Sequence, residues 1–149
     1  LFNILQNNFD FSTTSYMDLF SGTGNIGYEM YSRGCRDITM IDLSPISVGF
    51  QKKMAETLKM EQYCKILQGD AMEYIERCSI AYDLIFAGPP YALEYIDALP
   101  DKLINSTMMH DDTWFILETS PRHNFVEHPN LIQVRNYGQT HFWFFSKNV

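Results

Sequence analysis

A glycine-rich turn between a short apolar strand and a helix constrains the fold of this chain more than any other feature. The run from Asp18 to Gly27, DLFSGTGNIG, ends the strand with an acidic residue and spaces its glycines as GxGxxG before the helix. Glycines at this spacing let the backbone turn tightly and approach a ligand closely, and the first N–H groups of the helix are free to bind it. The run therefore predicts an α/β fold with a nucleoside cofactor at this turn.

The charge beside the turn distinguishes two kinds of cofactor. Turns that bind dinucleotides share this spacing and hold a pyrophosphate at the start of the helix. An acidic residue about 20 positions later, here Asp42, then binds the ribose hydroxyls. Asp18 argues against a pyrophosphate, because a carboxylate at contact would repel it by roughly 1 to 4 kcal/mol per charge pair. The ammonium and sulfonium groups of S-adenosylmethionine would be attracted instead. We therefore predict S-adenosylmethionine as the cofactor, with an NAD-dependent oxidoreductase as an alternative.

Size and composition predict a single domain. The chain has 149 residues, 46% hydrophobic and 15% aromatic, which is enough for one packed core over residues 1–149. It opens on Leu1-Phe2-Asn3-Ile4-Leu5 without an initiating Met, and the spacing of its apolar residues is that of a helix already under way. We therefore expect a native segment to precede Leu1, and we expect a monomer.

The cysteines and histidines have no metal-binding spacing. Cys35, Cys64 and Cys78 include no CxxC pair and are odd in number, and the histidines are scattered. No apolar run approaches the roughly 18 to 20 residues that span a bilayer. We therefore expect a cytoplasmic protein that uses neither a metal nor a membrane.

The net charge of -7 bears on nucleic-acid binding. Proteins that bind nucleic acids usually present a basic face to the phosphates, and here no basic block is longer than the Lys52-Lys53 pair. A nucleic-acid partner would therefore have to meet local basic patches, a preceding segment of the chain, or a second protein.

Strand-length apolar runs alternate with helical patterns along the chain, which is typical of a doubly wound parallel sheet. We predict strands at 16–20, 37–42, 64–67, 82–87, 114–118, 131–136 and 141–146. We predict helices at 26–32, 45–58, 71–78 and 91–108, with Pro100 as the expected break in the last. Only the residues 137–140 join the last two strands, so that pair must be antiparallel. We therefore predict an α/β fold whose seven-stranded, mainly parallel sheet ends in an antiparallel hairpin.

A second motif, Gly88-Pro89-Pro90-Tyr91, follows the fourth predicted strand at the sheet edge where ligands bind. The prolines stiffen the turn and have no N–H to donate, and Tyr91 offers a flat ring on which a base could stack. The alternative interpretation is a rigid strand-to-helix turn with a tyrosine packed on it.

At these motifs the chain resembles the RsmD-type family of small-subunit ribosomal RNA guanine-N2 methyltransferases. The resemblance implies a Rossmann-like, class I fold and transfer of a methyl group from S-adenosylmethionine to an exocyclic base nitrogen. It also implies a preceding RNA-contacting hairpin and a partner that is ribosomal RNA or the assembling small subunit. The matching blocks are Leu1 to Leu5, Asp18 to Gly24, Ser32 to Gly34, Asp42, Gly69 to Ala71, Pro89 to Tyr91, Leu117 to Glu118 and Arg135 to Thr140.

The chain departs from the family pattern at Gly88, where the signature has Asp or Asn. An exocyclic amino group is a poor nucleophile, and a fixed side-chain oxygen would accept its N–H bonds and direct its lone pair at the methyl group. Loss of one such acceptor typically lowers a rate on the order of 100 to 1000-fold. Three interpretations are open: a sequence change from Asp, a slower variant that uses the carbonyls of Gly88 and Pro89, or a binding protein without catalysis.

Each candidate cofactor residue has a structural alternative. Asp18 and the glycine turn would hold the methionine end of the donor, or Asp18 caps its own loop. Asp42 would accept from the ribose hydroxyls, or it caps the following helix, which Ser44 can do instead. Asp70 would accept from the adenine amino group and the Ala71 N–H would face a ring nitrogen, or Asp70 is a helix cap. The predicted cofactor-binding residues are Asp18, Phe20, Ser21, Gly22, Gly24, Asp42, Leu43, Asp70, Ala71 and Ala87, with Leu43 and Ala87 as apolar walls or plain packing.

The resemblance implies methylation of a guanine N2 in small-subunit ribosomal RNA, with Gly88, Pro89, Pro90 and Tyr91 at the reacting base. Related turns also serve DNA adenine and protein amide methyltransferases, which stay as alternatives. A cofactor-binding module without activity is the third, and Glu118 has no assigned role.

Overall fold

The computed structural model describes residues 1–149 as a seven-stranded sheet with helices on both faces, in the strand order β3-β2-β1-β4-β5-β7-β6. The strands are β1 (Ser15–Asp18), β2 (Asp37–Asp42), β3 (Cys64–Gln68), β4 (Tyr82–Ala87), β5 (Met109–Thr119), β6 (Leu131–Tyr137) and β7 (Thr140–Phe145). The helices are α1 (Phe2–Asn8), α2 (Asn25–Ser32), α3 (Pro45–Thr57), α4 (Ala71–Arg77) and α5 (Leu99–Ile104). None of these helices has the length and apolar character needed to cross a bilayer.

The central strands β1, β2 and β4 are buried on both faces because neighbouring side chains alternate between two cores, whereas the edge strands β3 and β6 are only partly buried. Leu84 and Ile85 of β4 are both fully buried, yet Leu84 belongs to the core beneath α1, α2 and α3, and Ile85 to the core beneath α4 and α5. Such two-sided burial explains why the strands are near-continuous apolar runs rather than alternating ones.

The strand order reverses between β1 and β4. Strands β1 to β5 are all parallel. Strands β2 and β3 lie on one side of β1, and β4 and β5 lie on the other. Connections therefore leave the carboxyl ends of β1 and β4 in opposite directions and open a crevice between them, which is where open α/β sheets bind ligands.

The predicted antiparallel hairpin is confirmed. Strand β7 pairs antiparallel with both β5 and β6, and Tyr137 is paired with Thr140 across the turn. Gly138 has a φ of 62°, while Gln139 has no positive φ, which is the pattern of a type II′ turn with glycine at its first central position. The glycine therefore sets the tight return of the chain.

The prediction of a helix over 91–108 was wrong for most of its length. Only Leu99–Ile104 is α-helical, after a single 3₁₀ turn at Ile96–Ala98, and Pro100 lies in the first turn of α5 instead of interrupting it. A proline is tolerated there because the N–H that it lacks would have no helical partner. Strand β5 also begins at Met109 and not at 114, since Met109 pairs with Tyr82 at the start of β4, before a register shift that precedes the pairing of Trp114 with Leu84.

Candidate active site

A cavity of about 350 Å³ lies at the carboxyl ends of β1, β2, β3 and β4, in the crevice where the strand order reverses. Eight of the predicted site residues line it: Phe20, Gly22, Asp42, Leu43, Asp70, Ala71, Gly88 and Pro90. Leu19, Gly69, Leu93 and Tyr95, which were not predicted, line it as well. Asp18, Ser21, Gly24, Ala87, Pro89 and Tyr91 lie outside its wall.

Two larger hollows lie away from these residues. One, of about 560 Å³, is beside the end of α1, and the other, of about 550 Å³, is at the amino ends of the strands. Both are shallower, and neither contains a residue predicted for the site. The crevice is therefore the candidate active site in spite of its smaller volume.

The glycine turn has a backbone that other residues would strain. Gly22 and Gly24 have φ of 55° and 86°, and the Gly24 N–H donates to the Ser21 carbonyl over 2.7 Å. A Cβ on Gly24 would lie 2.6 Å from the ring and hydroxyl of Tyr28. Position 24 therefore requires glycine for two reasons, its left-handed backbone conformation and the close approach of Tyr28.

Asp42 joins the glycine turn to the end of β2. Its Oδ2 accepts a hydrogen bond from the Gly22 N–H at 2.8 Å, and its Oδ1 accepts one from the Ser44 N–H at 2.9 Å. Ser44 itself caps α3, because its Oγ accepts from the Ser47 N–H at 3.2 Å. Each oxygen of the Asp42 carboxylate keeps further acceptor capacity, and the side chain lines the cavity.

Asp18 is 2% exposed and lies outside the cavity wall. The Tyr16 hydroxyl donates to its Oδ2 at 3.1 Å, while its Oδ1 has no hydrogen-bond partner. Burial raises the pKa of Asp18 to about 7, and the hydrogen bond from Tyr16 opposes the rise only in part. Near neutral pH the carboxyl group is therefore about half protonated, so its repulsion of a pyrophosphate is weaker than the sequence argument assumed.

Asp70 is a helix cap, as one of its two sequence interpretations predicted, and it also lies in the cavity wall. Its Oδ1 accepts from the Met72 N–H at 2.9 Å and caps α4, and the residue also lines the cavity. Ala71 is the first residue of α4 and is buried. Gly69 donates its N–H to the Asp42 carbonyl at 3.0 Å, so the turn after β3 is held against the end of β2.

The Gly88-Pro89-Pro90-Tyr91 turn presents two free carbonyl groups at the end of β4. The Pro90 carbonyl accepts from the Leu93 N–H at 3.0 Å, but no hydrogen bond within the chain reaches the carbonyl oxygens of Gly88 and Pro89. Tyr91 is 46% exposed, so its ring is not packed into the core. The turn therefore has two unused acceptors, one of them at Gly88 on the cavity wall, and an exposed aromatic ring.

A fully buried glutamine that the sequence analysis missed fixes the glycine turn. The Gln51 Nε2 donates to the Ser21 Oγ at 2.8 Å and to the Gly22 carbonyl at 2.6 Å. Gln51 shares the buried stripe of α3 with Val48 and Ala55. A polar residue at a buried position of an apolar helix stripe was the available signal, because such a group must find a hydrogen-bond partner.

A mainly parallel sheet that ends in an antiparallel hairpin, with a cavity at its point of strand reversal, defines a Rossmann-like methyltransferase fold. A conserved hypothetical protein from Streptococcus pyogenes superposes with a TM-score of 0.87 and 22% identity, covering 99% of this chain and 92% of that one. An SAM-dependent methyltransferase from Agrobacterium tumefaciens superposes with a TM-score of 0.73 and 17% identity, covering 98% and 60%. These similarities establish the fold.

Residues 1–146 match the family described as conserved hypothetical protein 95, and the chain belongs to this family. The resemblance to the RsmD-type proteins is thereby confirmed. The ribosomal RNA small subunit methyltransferase D of Buchnera aphidicola is 24% identical over 118 residues, which are 79% of this chain. The chain spans 59% of the length of that relative.

Proposed function

We propose that this chain is an S-adenosylmethionine-dependent methyltransferase domain that acts on the exocyclic N2 of a guanine in small-subunit ribosomal RNA. The observation that carries the proposal is the free carbonyl of Gly88 in the wall of the cavity that Asp42 and Asp70 also line. The name of the Buchnera relative supports the substrate class. We further propose that the domain works as a cytoplasmic monomer.

The residues at the cavity fit this donor. A volume of about 350 Å³ is within the usual range for a small-molecule site. Asp42 has acceptor capacity left for the ribose hydroxyls, and Asp70 has it for the adenine amino group, while Leu43 and Ala71 offer apolar walls. Asp18 keeps a buried oxygen without a partner, and its ionised form would favour a cation nearby.

The residues of this chain would position the target base relative to the methyl donor. Bound S-adenosylmethionine supplies a methyl group on a positively charged sulfur. Tyr91 would stack on the target base, and the carbonyls of Gly88 and Pro89 would accept N–H bonds from its amino group. These contacts direct the nitrogen lone pair towards the cavity, and holding reactants in that alignment removes much of the entropic barrier.

The test is transfer of an isotope-labelled methyl group to small ribosomal subunits that lack the modification, followed by nucleoside analysis. We expect label in N2-methylguanosine. Label in methyladenine of DNA or in a protein amide would replace the proposed substrate with one of those alternatives. Calorimetric binding of the donor without any transfer, by this chain and by Gly88→Asp, would identify a cofactor-binding module instead.

A further inference from the structure

The carboxyl ends of β4 and β5 bring Gly88 and Glu118 side by side. Ala87 is paired with Leu117, so the next residue of each strand lies at the same level of the sheet. A Cβ built on Gly88 would lie 3.6 Å from the Glu118 Oε1 and 3.3 Å from the Phe86 Cε1. The oxygens of an aspartate extend beyond its Cβ, so the Glu118 carboxylate borders the space that a side chain at 88 would enter.

The backbone at Gly88 does not itself require glycine. Its φ lies outside the left-handed region, unlike that of Gly22 or Gly24. A side chain at 88 needs only a small shift of the Phe86 ring edge, whose nearest atom is 3.3 Å away. Position 88 could therefore accept a side chain, and the Glu118 carboxylate lies beside the place where that side chain would be.

Glu118 has no structural partner that explains its charge. It forms no ion pair and caps no helix, and its cross-strand neighbour on β7 is the aromatic Phe142. The side chain is half-buried, and burial raises its pKa. The Glu118 carboxylate therefore has no donor within the chain and is free to accept one from a ligand.

We propose that Glu118 supplies the side-chain acceptor that Gly88 lacks, and so contacts the amino group of the target base. This rests on the proposed function. As the amino nitrogen bonds to the methyl carbon, the carbon–sulfur bond breaks and its electron pair stays on sulfur. The nitrogen then sheds one proton, which Glu118 receives along the N–H hydrogen bond. The carbonyls of Gly88 and Pro89 hold the other N–H.

The test is a mutant cycle between positions 88 and 118, read as kcat for labelled methyl transfer. We expect Glu118→Ala to lower kcat on the order of 100-fold with an unchanged Kd for the donor. Glu118→Gln keeps an amide oxygen without the charge and should give an intermediate rate. Glu127→Ala removes an exposed carboxylate elsewhere and is the matched control.

The second arm of the cycle separates a chemical role from a structural one. In the Glu118→Ala background, Gly88→Asp should restore kcat at least tenfold, because it returns a carboxylate to the same space. In the natural background Gly88→Asp should bring little gain, since two neighbouring carboxylates repel and one holds a proton. Packing damage from Glu118→Ala would not be repaired by an acid at 88. Thermal melting identifies any variant that does not fold, and Glu118→Gln then replaces Glu118→Ala in both arms.

The outcomes distinguish this proposal from the proposed function. If the natural chain methylates RNA and both Glu118 variants stay within about threefold of it, Glu118 is not the acceptor and the function stands. If the natural chain is inactive and Gly88→Asp is active, the natural chain is not the proposed enzyme although its site accepts the substrate, and Glu118 does not replace the missing side chain. If neither transfers a methyl group, both proposals are overturned.

Discussion

The carboxylate of Asp42 accepts a 2.8 Å hydrogen bond from the N–H of Gly22, 20 residues earlier in the chain. The second oxygen of Asp42 accepts from Ser44, so one side chain holds both the glycine turn and the start of α3. A residue proposed to bind ribose hydroxyls thus also shapes the turn that faces the donor. Loss of its charge should therefore affect binding by two routes.

We expect Asp42→Asn to weaken S-adenosylmethionine binding roughly ten- to hundredfold. An amide has one oxygen, so one of the two backbone donors would face an NH₂ group, and hydrogen bonds to charged groups contribute about 1.5 to 3 kcal/mol. Isothermal titration calorimetry measures the change. Asp37→Asn, at the exposed start of the same strand, is the control and should bind normally. Equal affinity of both variants would contradict the role of Asp42.

The raised pKa of Asp18 makes stability depend on pH. The folded protein keeps a proton on Asp18 up to about pH 7, while the unfolded chain releases it near 3.8. The free energy of unfolding should therefore fall as the pH rises through this window and level off above it. Between pH 5 and 8 the loss from this group is about 2 to 3 kcal/mol.

Asp18→Asn should remove that dependence. Urea unfolding at both pH values gives the measurement, and the difference between variant and natural chain cancels the titration of the other carboxylates. We expect the variant to gain stability relative to the natural chain as the pH rises. A constant difference between pH 5 and 8 would mean that Asp18 titrates normally in the folded protein.

Most of the fold could be predicted because its signals are local. The apolar runs of β2 and β4 coincide with the observed strands, and Ser44 caps the helix that Pro45 begins, as capping preferences predict. The short link at 137–140 required an antiparallel pair whatever the tertiary structure. These features depend on neighbours in sequence, which a pattern captures.

The parts of the site that could not be predicted depend on contacts between distant segments. Gln51 reaches Ser21 only because α3 packs over the turn after β1. The position of Glu118 beside Gly88 follows from the alignment of β4 with β5. Burial makes the pKa of Asp18 about 7, although its sequence context indicated an ordinary carboxylate. Spacing along the chain contains none of this information.

Gln51→Ala should loosen the glycine turn. The substitution leaves the part-buried Gly22 carbonyl and the buried Ser21 hydroxyl without this donor, and an unsatisfied buried group typically costs about 1 to 3 kcal/mol. We expect a lower free energy of unfolding in urea and weaker donor binding by calorimetry. Gln62→Ala changes an exposed glutamine and should alter neither quantity. Unchanged donor binding by Gln51→Ala would show that the turn is held without it.

Substitution by alanine should change the stability of the protein in opposite directions at two glycines, Gly24 and Gly49. Gly24→Ala meets a left-handed φ and the Tyr28 ring at 2.6 Å, so we expect a loss of stability of more than about 1 kcal/mol. Gly49 is exposed within α3 with no atom in the path of a Cβ, so Gly49→Ala should gain about 0.5 to 1 kcal/mol. Thermal unfolding of both variants gives the comparison. A loss at Gly49 as large as at Gly24 would mean that helix packing, and not the backbone, sets the cost.

Tyr91 is the residue whose substitution separates binding of the base from binding of the donor. Its ring is 46% exposed at the end of the Pro-Pro turn and lies outside the cavity wall, so it is not expected to contact the donor. Stacking of a base on an aromatic ring contributes about 1 to 3 kcal/mol. Tyr91→Ala should therefore lower kcat/KM for RNA roughly five- to hundredfold, with an unchanged Kd for the donor.

Tyr91→Phe keeps the ring and should retain nearly full activity, because stacking needs the aromatic face and not the hydroxyl. Steady-state methyl transfer with varied RNA measures kcat/KM, and calorimetry measures donor affinity on the same preparations. If Tyr91→Phe were as impaired as Tyr91→Ala, the hydroxyl would be the functional group, and the base would be held by a hydrogen bond rather than by stacking. If Tyr91→Ala weakened donor binding to the same extent as kcat/KM, the turn would belong to the donor site, and the carbonyls of Gly88 and Pro89 would have to serve the donor rather than the base.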